Sequence, residues 1–182
     1  MLFRSTVFVG DAGTTEPSGR KGRRYGVEFA NFYDVTKWMT LDADFAFSKA
    51  RFRDHDAAVG DHIPDAVESV IAAGVSFHDL GGFFGSLRMR YFGARALIED
   101  NSVRSAASLL FNAQAGYQIN KTWAVQVDVL NLFNAKVNDQ EYYYSSRLPG
   151  EPAGPEADGG YLDRQVHPAE PLTVRVSLTA KF

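Results

Sequence analysis

The sequence predicts an all-β chain: an antiparallel up-and-down transmembrane β-barrel segment of about eight strands, with short periplasmic turns and long extracellular loops. Three observations carry that expectation. Apolar and polar residues alternate with period two through most of the 182 residues, which places alternate side chains on opposite faces of a strand. The connections between these stretches are short and long in turn. Aromatic residues gather beside the short ones.

The first strand covers residues 3–9, with Phe3, Val7 and Val9 on one face and Arg4 and Thr6 on the other. A Gly- and Thr-rich loop, residues 10–22, leads into the basic run Arg20, Lys21, Arg23 and Arg24. The second strand, residues 25–33, sets Tyr25, Val27, Phe29 and Tyr33 against Gly26, Glu28 and Ala30. After a tight turn at 34–37 comes Trp38, then the third strand. There Met39, Leu41, Ala43, Phe45 and Phe47 alternate with Thr40, Asp42, Asp44, Ala46 and Ser48. A polar loop at 54–65 ends in Ile63-Pro64. The fourth strand sets Val67, Ser69, Ile71, Ala73, Val75 and Phe77 against Glu68, Val70, Ala72, Gly74 and Ser76. A turn at 78–82 gives way to the fifth strand, with Phe83, Leu87, Met89 and Tyr91 opposite Ser86, Arg88 and Arg90.

A longer loop, 93–107, precedes the sixth strand, where Leu109, Phe111, Ala113, Ala115 and Tyr117 oppose Ser108, Asn112, Gln114, Gly116 and Gln118. Asn120-Lys121 turns the chain into Trp123 and the seventh strand, Val125, Val127 and Val129 against Gln126 and Asp128. A long loop holding most of the prolines runs to Glu170. The eighth strand, from residue 171 to the end, sets Val174, Val176, Leu178, Ala180 and Phe182 against Thr173, Arg175, Ser177, Thr179 and Lys181.

Strands of roughly 9–11 residues suit a tilted crossing of a bilayer. Tyr33, Phe77, Phe83, Tyr117, Trp123 and Phe182 share the apolar parity at the short-turn side, the place of an interfacial aromatic girdle. Trp38 has the opposite parity, which requires a register slip or a lumen-facing ring. A soluble barrel also alternates, but long loops at one end and aromatics banded at the other favour the membrane form. Net charge is −3 without a dominant basic cluster, which argues against nucleic acid as a partner. The absence of cysteine removes disulfide scaffolds, thiol catalysis and Cys-ligated zinc. No apolar run reaches the ~18 residues of a membrane helix. No nucleophile, base and orienting group can be named together, so an enzyme is not expected and no cofactor is implied. The opening Met-Leu-Phe-Arg reads as strand rather than as a signal peptide.

Four pieces then resemble the C-terminal part of a TonB-dependent outer-membrane receptor. They are Gly26-Val27-Glu28, the run from Ala46 to Phe52 leading to Ile63-Pro64, the Asn131-Leu132-Phe133-Asn134 end of the seventh strand, and the terminal strand from Val174 to Phe182. The resemblance implies a barrel of about 22 strands with a plugged lumen. It implies energised uptake of a scarce nutrient, an iron chelate, vitamin or oligosaccharide, across the outer membrane of a Gram-negative bacterium. Residues 1–182 are expected to be the C-terminal part of that barrel, with plug and earlier strands absent. The partners implied are outer-membrane lipid and lipopolysaccharide, the barrel-assembly machinery, and TonB only through the missing N-terminal part. The alternative is a stand-alone eight-stranded barrel with a structural or adhesive role.

Glu28, Asp42, Asp44, Glu68, Arg88, Arg90, Asp128 and Arg175 share the polar parity and are expected to face the lumen. Acidic strand four beside basic strand five suggests cross-strand ion pairs. Tyr142, Tyr143 and Tyr144, with Arg147 nearby, lie in the longest extracellular loop, where stacked rings suit contact with sugars or aromatic chelates and simple packing of the loop is the alternative. Arg20, Lys21, Arg23 and Arg24 are candidates for lipopolysaccharide phosphates. Val174, Val176, Leu178 and Phe182 form the expected barrel-assembly signal. Asp54-His55-Asp56 and Asp61-His62 share a loop, where a solvated surface is favoured over a metal site.

Overall fold

A computed structural model describes residues 4–9, 14–56 and 58–181, with side chains from residue 19 onward except at 55 and 56. The described residues form strands β1 (Arg4–Val9), β2 (Thr14–Thr36), β3 (Met39–Asp56), β4 (Gly60–His62), β5 (Ser69–Leu80), β6 (Phe83–Phe92), β7 (Ser108–Gln118), β8 (Trp123–Leu130), β9 (Asn138–Ser146), β10 (Tyr161–Pro168) and β11 (Thr173–Ala180). No helix among them is long and apolar enough to cross a membrane. Eight strands, β1-β2-β3-β5-β6-β7-β8-β11, make one antiparallel meander, the number the alternation predicts. β4 is a short edge on β3, and β9 with β10 is a separate hairpin inside the connection from β8 to β11. The sheet is open, with β1 and β11 at its ends.

Register explains why the alternation is so regular. Phe45 of β3 pairs with Ile71 of β5, Ile71 with Tyr91 of β6, and Tyr91 with Leu109 of β7. Val127 of β8 links Ala115 of β7 to Val176 of β11. Partners in a ladder project to the same side, so the apolar rows join into one wall. That wall faces outward uncovered: Val27 and Val176 are each 71% exposed. The other face carries an unbroken polar row, Thr40–Ser76–Ser86–Gln114–Asp128–Arg175. Gln114 Nε2 donates to Asp128 Oδ1 at 3.0 Å along it.

Two hairpin strands exceed the expected length. β2 has 23 residues and β3 has 18, against the roughly 9–11 a tilted crossing needs. Their turn is only Lys37–Trp38, so the excess projects from the long-loop side. The backbone pairing continues through the basic run, from Tyr25↔Lys49 to Gly22↔Phe52. Much of the loop expected at 10–22 is therefore strand. β1 pairs only with Thr14–Lys21, on this projection; it does not run beside the apolar band as a first crossing strand would. Phe3 and Phe182 lie outside the described residues.

The aromatic band takes shape at the short turns. The Phe83 and Tyr117 rings lie 4.6 Å apart. A register shift between Asp34 and Thr36 turns Trp38 to the apolar side, where it stacks on Phe77 at 6.1 Å. The slip, not the lumen-facing ring, resolves its parity.

β8 ends on a corner built by Asn131. Its φ of 49° lies in the left-handed region, which asparagine tolerates better than most residues. The buried side chain donates from Nδ2 to the carbonyls of Ala135 and Glu170, each at 3.0 Å, and accepts from Ala135 N at 2.8 Å. It thus ties the start of the long connection to its end, just ahead of β11. Asn131→Ala should destabilise the chain by about 2–4 kcal/mol, from lost hydrogen bonds at a buried site and a strained φ. Asn131→Gly should recover only the backbone part. Urea unfolding of the three proteins checks the order.

Candidate functional site

Most of the buried apolar residues lie above the crossing strands, where the long loops meet. Ala50 and Phe52, on the inner side of the β2–β3 projection, are buried with Ala96 and Leu97 of the β6–β7 loop. That loop is not a loose polar segment. It closes on itself through Leu97 N to Val103 O and Ser105 N to Arg95 O, both 2.9 Å. It joins the β3–β5 connection through His62 N to Glu99 O at 2.9 Å. Gly60 permits this contact: it has φ 100°, and a Cβ there would meet Glu99 O at 2.3 Å.

Charges tie the same parts together. Arg20 is only 17% exposed and sits 4.2 Å over the Phe52 ring. It donates to Asp54 Oδ2 at 3.1 Å and to the Glu99 carboxylate. Glu68 accepts from Arg51 at 3.2 Å and Arg104 at 3.0 Å. Arg95 donates to Asp65 Oδ1 and to Glu141 O, both at 3.3 Å. Glu141 is buried at 2% exposure; its Oε1 accepts from Ala106 N and Asn138 Nδ2. Its Oε2 lies 3.6 Å from Arg164 Nε. The β9–β10 hairpin is thereby pinned to the β6–β7 loop.

Between these elements lies a cleft of about 450 Å³. Tyr142, Tyr143 and Tyr144 form one wall, with Val59, Pro64, Leu97 and Ile98 opposite and Asp65, Glu99 and Asp100 supplying carboxylates. The tyrosines are on strand β9, not in an irregular loop. Pairing with β10 fixes them, Tyr143 against Arg164 and Tyr144 against Asp163. Burial pushes the Asp65 carboxyl above the usual aspartate range, against the opposing pull of the Arg95 guanidinium. Hydrogen bonds from Ser102 hold Asp100 below that range. Chemically the cleft offers flat rings, aliphatic walls and a few acceptors, which suits a ligand with planar rings and polar substituents.

The remaining sequence candidates are placed as follows. Arg147 lies exposed beyond the end of β9, near Gly159, and does not line the cleft. Asp42 and Arg88 form a two-point ion pair at 2.9 and 3.2 Å across β5. Gly74 makes room for it: a Cβ there would stand 2.9 Å from Asp42 Oδ1. Arg90 reaches Asp139 of β9 at 2.9 Å, and Arg175 reaches Glu170 at 3.0 Å. Glu28 and Asp44 are exposed on the polar parity. Glu68 stands just before β5 and is a rim residue. The expected pairing of strand four with strand five is therefore replaced by longer reaches. Val174, Val176 and Leu178 are exposed on edge strand β11. Among the described residues, Asp54 is held by Arg20, Asp61 lies near Arg51 and His62, and no metal-binding group of three forms.

Sequence reasoning did not mark Asp65, Leu97, Ile98, Glu99 or Asp100. The apolar Leu97-Ile98 pair inside a polar stretch was the available signal.

For Glu68, burial pushes the carboxyl up, but hydrogen bonds and charge from Arg104 and Arg51 outweigh it and hold the group below the usual value of 4.5. A lowered folded value means the stabilisation is present above about 4.5 and is lost as pH falls through the folded value. Glu68→Gln should lower stability at neutral pH and flatten the acid limb of a melting-temperature profile. An unchanged profile would remove the clamp from the account.

The TonB dependent receptor-like β-barrel family matches residues 3–132, more than half of the chain. No curated protein sequence matches it. Among solved structures, the ferric yersiniabactin uptake receptor FyuA from Yersinia pestis superposes with a TM-score of 0.72 and 17% identity, over 93% of this chain and 25% of that one. The ferric-catecholate import receptor Fiu from E. coli K12, in its open form, gives 0.63 and 17%, over 88% and 21%. The copper transporter OprC gives 0.61 and 17%, over 100% and 27%. The chain spans about a quarter of the length of these structures. With an antiparallel meander, one apolar wall and a family match across most of the crossing strands, the chain belongs to the TonB-dependent receptor β-barrel family.

Proposed function

We propose that the chain forms the C-terminal part of an outer-membrane barrel that takes up a scarce nutrient, with a metal chelate as the first choice of cargo. The observation that carries this reading is the pair of uncovered sheet edges beside an uncovered apolar wall. From Gly22 to Thr36, β2 pairs on one side only, with β3, and β11 pairs only with β8. In hydrocarbon each unpaired backbone group costs several kcal/mol, so a membrane-spanning form requires both edges to be covered, by further strands in the larger barrel or by each other in a small closed one. The polar face, with Asp42, Asp44, Arg88, Arg90, Asp128 and Arg175, lines the lumen against a plug. Val174, Val176 and Leu178, with Phe182, serve barrel assembly. Contact with TonB falls to residues outside this chain. The activity is transport and not catalysis.

The iron-chelate preference rests on the cleft and on what FyuA and Fiu are said to import. Alternation along β9 sets Tyr143 on the face opposite Tyr142 and Tyr144, so one face of the strand offers its ring or rings to planar ligand groups, while loop carboxylates accept hydrogen bonds from polar substituents.

Sequencing the DNA upstream of the Met1 codon tests the larger barrel. An open frame running back through alternating strands to a plug is expected; a stop codon close behind Met1 leaves only an eight-stranded barrel and ends the uptake claim. For the cleft, at least one of Tyr143→Ala and Tyr144→Ala in the full receptor should weaken binding of a ferric catecholate probe about 3–10-fold, read by calorimetry. Unchanged affinity in both would move the ligand elsewhere.

A further inference from the structure

The tyrosine cleft is lined by charge of one sign. Among the described residues no arginine, lysine or histidine lines it, whereas Asp65, Glu99 and Asp100 do. Two of these carboxylates are already matched: Arg20 holds Glu99, and Arg95 holds Asp65. Asp100 is not. It is exposed, and its Oδ1 accepts from the Ser102 amide at 2.9 Å. Among the described residues no arginine or lysine pairs with it; His62, whose charge reaches it, lies against Asp61 at 3.4 Å.

The loop fixes where this carboxylate stands. Asn101 N donates to Ile98 O at 3.1 Å, closing a tight turn, and Asn101 takes a φ of 63°. Arg104 bonds the Asn101 side chain and is itself held by Glu68. The facing ring is Tyr143. By alternation it shares its side of β9 with Glu141. Glu141 accepts from Ala106 N in the β6–β7 loop at 3.2 Å, so that side of the hairpin turns toward the loop that carries Asp100. A tyrosine face attracts a cation through its ring quadrupole.

The electrostatics favour positive charge in this space. Hydrogen bonds from Ser102 lower Asp100 and keep it ionised at neutral pH. Burial leaves Asp65 above the usual aspartate range even beside Arg95, so negative charge here is under-compensated. A bare metal ion does not answer the pattern, because such ions take several oxygens at once and no metal-binding group of three forms among the described residues.

We propose that the cleft selects a chelate bearing a protonated amine, whose ammonium group sits between the Asp100 carboxylate and the Tyr143 ring while Leu97 and Ile98 flank its alkyl chain. A ferric catecholate without an amine uses the rings alone. The proposal rests on the uptake reading above and adds to it the charge of the cargo.

The test uses the protein in its full-length form in detergent micelles and reads affinity by calorimetry. One probe is a linear iron(III) trihydroxamate ending in a primary amine, cationic through that amine. The other is the same complex with the amine acetylated. The amine form should bind about fivefold tighter, and the advantage should shrink as salt is raised. Asp100→Asn should erase the advantage and leave the acetylated form's affinity unchanged. Asp79→Asn, at the opposite rim, should keep it. Equal affinities in the unaltered protein, or an advantage that survives Asp100→Asn, overturn the ammonium site and spare the cleft. A fall in both affinities in Asp100→Asn makes the residue structural and overturns its assignment. Binding of neither complex removes the charge selection, while the uptake reading stands or falls on the ferric catecholate measurement.

Discussion

Backbone pairing in the absence of water is the constraint on which this sheet depends. Where no solvent can satisfy an amide, each strand needs a neighbour along its whole crossing length. Antiparallel pairing supplies that neighbour, and it also fixes which way every side chain points. From β3 to β11 the ladder holds one continuous register through the crossing region. A slip of a single residue would exchange the apolar wall for the polar row. The slips near the band, between Asp34 and Thr36 and between Phe77 and Leu80, fall at turns, and the first turns Trp38 outward.

Side-chain burial follows a different logic, concentrated above the crossing strands. The sheet has no interior of its own, so Phe52, Leu97 and Ala96 find cover in the loops. Those loops hold shape through arginines that each engage more than one element: Arg20, Arg51, Arg95 and Arg104. The tyrosine cleft depends on this arrangement, because its two walls come from segments far apart in sequence. Glu141 and Arg95 hold the hairpin to the β6–β7 loop. The two walls of the cleft are held together by these buried charged and polar groups.

The crossing strands were legible because membrane strands write their geometry directly into alternation. Thr40, Asp42 and Asp44 against Leu41, Ala43 and Phe45 leave one strand assignment. The rim was less legible. Residues 14–24 mix Gly, Pro and charge, which reads as loop, yet β3 offers a continuous partner and the pairing runs on. The hairpin carrying Tyr142–Tyr144 escaped because β10, from Tyr161 to Pro168, alternates weakly. Ion-pair partners were the least legible, since Arg88 reaches over Gly74 to a strand two places away. Nothing in local spacing announces that reach, whereas the space left by a glycine makes it feasible.

The Asn131 corner bears on how the chain assembles in time. The meander pairings from β2 onward join neighbouring strands across a tight turn or across the β3–β5 and β6–β7 loops, and the last spans the longest connection of all. β8 must wait about 40 residues for β11. If the β9–β10 hairpin forms first, on the microsecond scale of such elements, the flexible length falls to about 10 residues. That fourfold shortening is two doublings, lowering the entropic cost of closure by about 1.2 kcal/mol. Asn131, bonded to Ala135 and Glu170, then clasps the neck of the shortened loop. The insert that carries the tyrosines is therefore also a folding aid, bringing the terminal strand within reach of its partner.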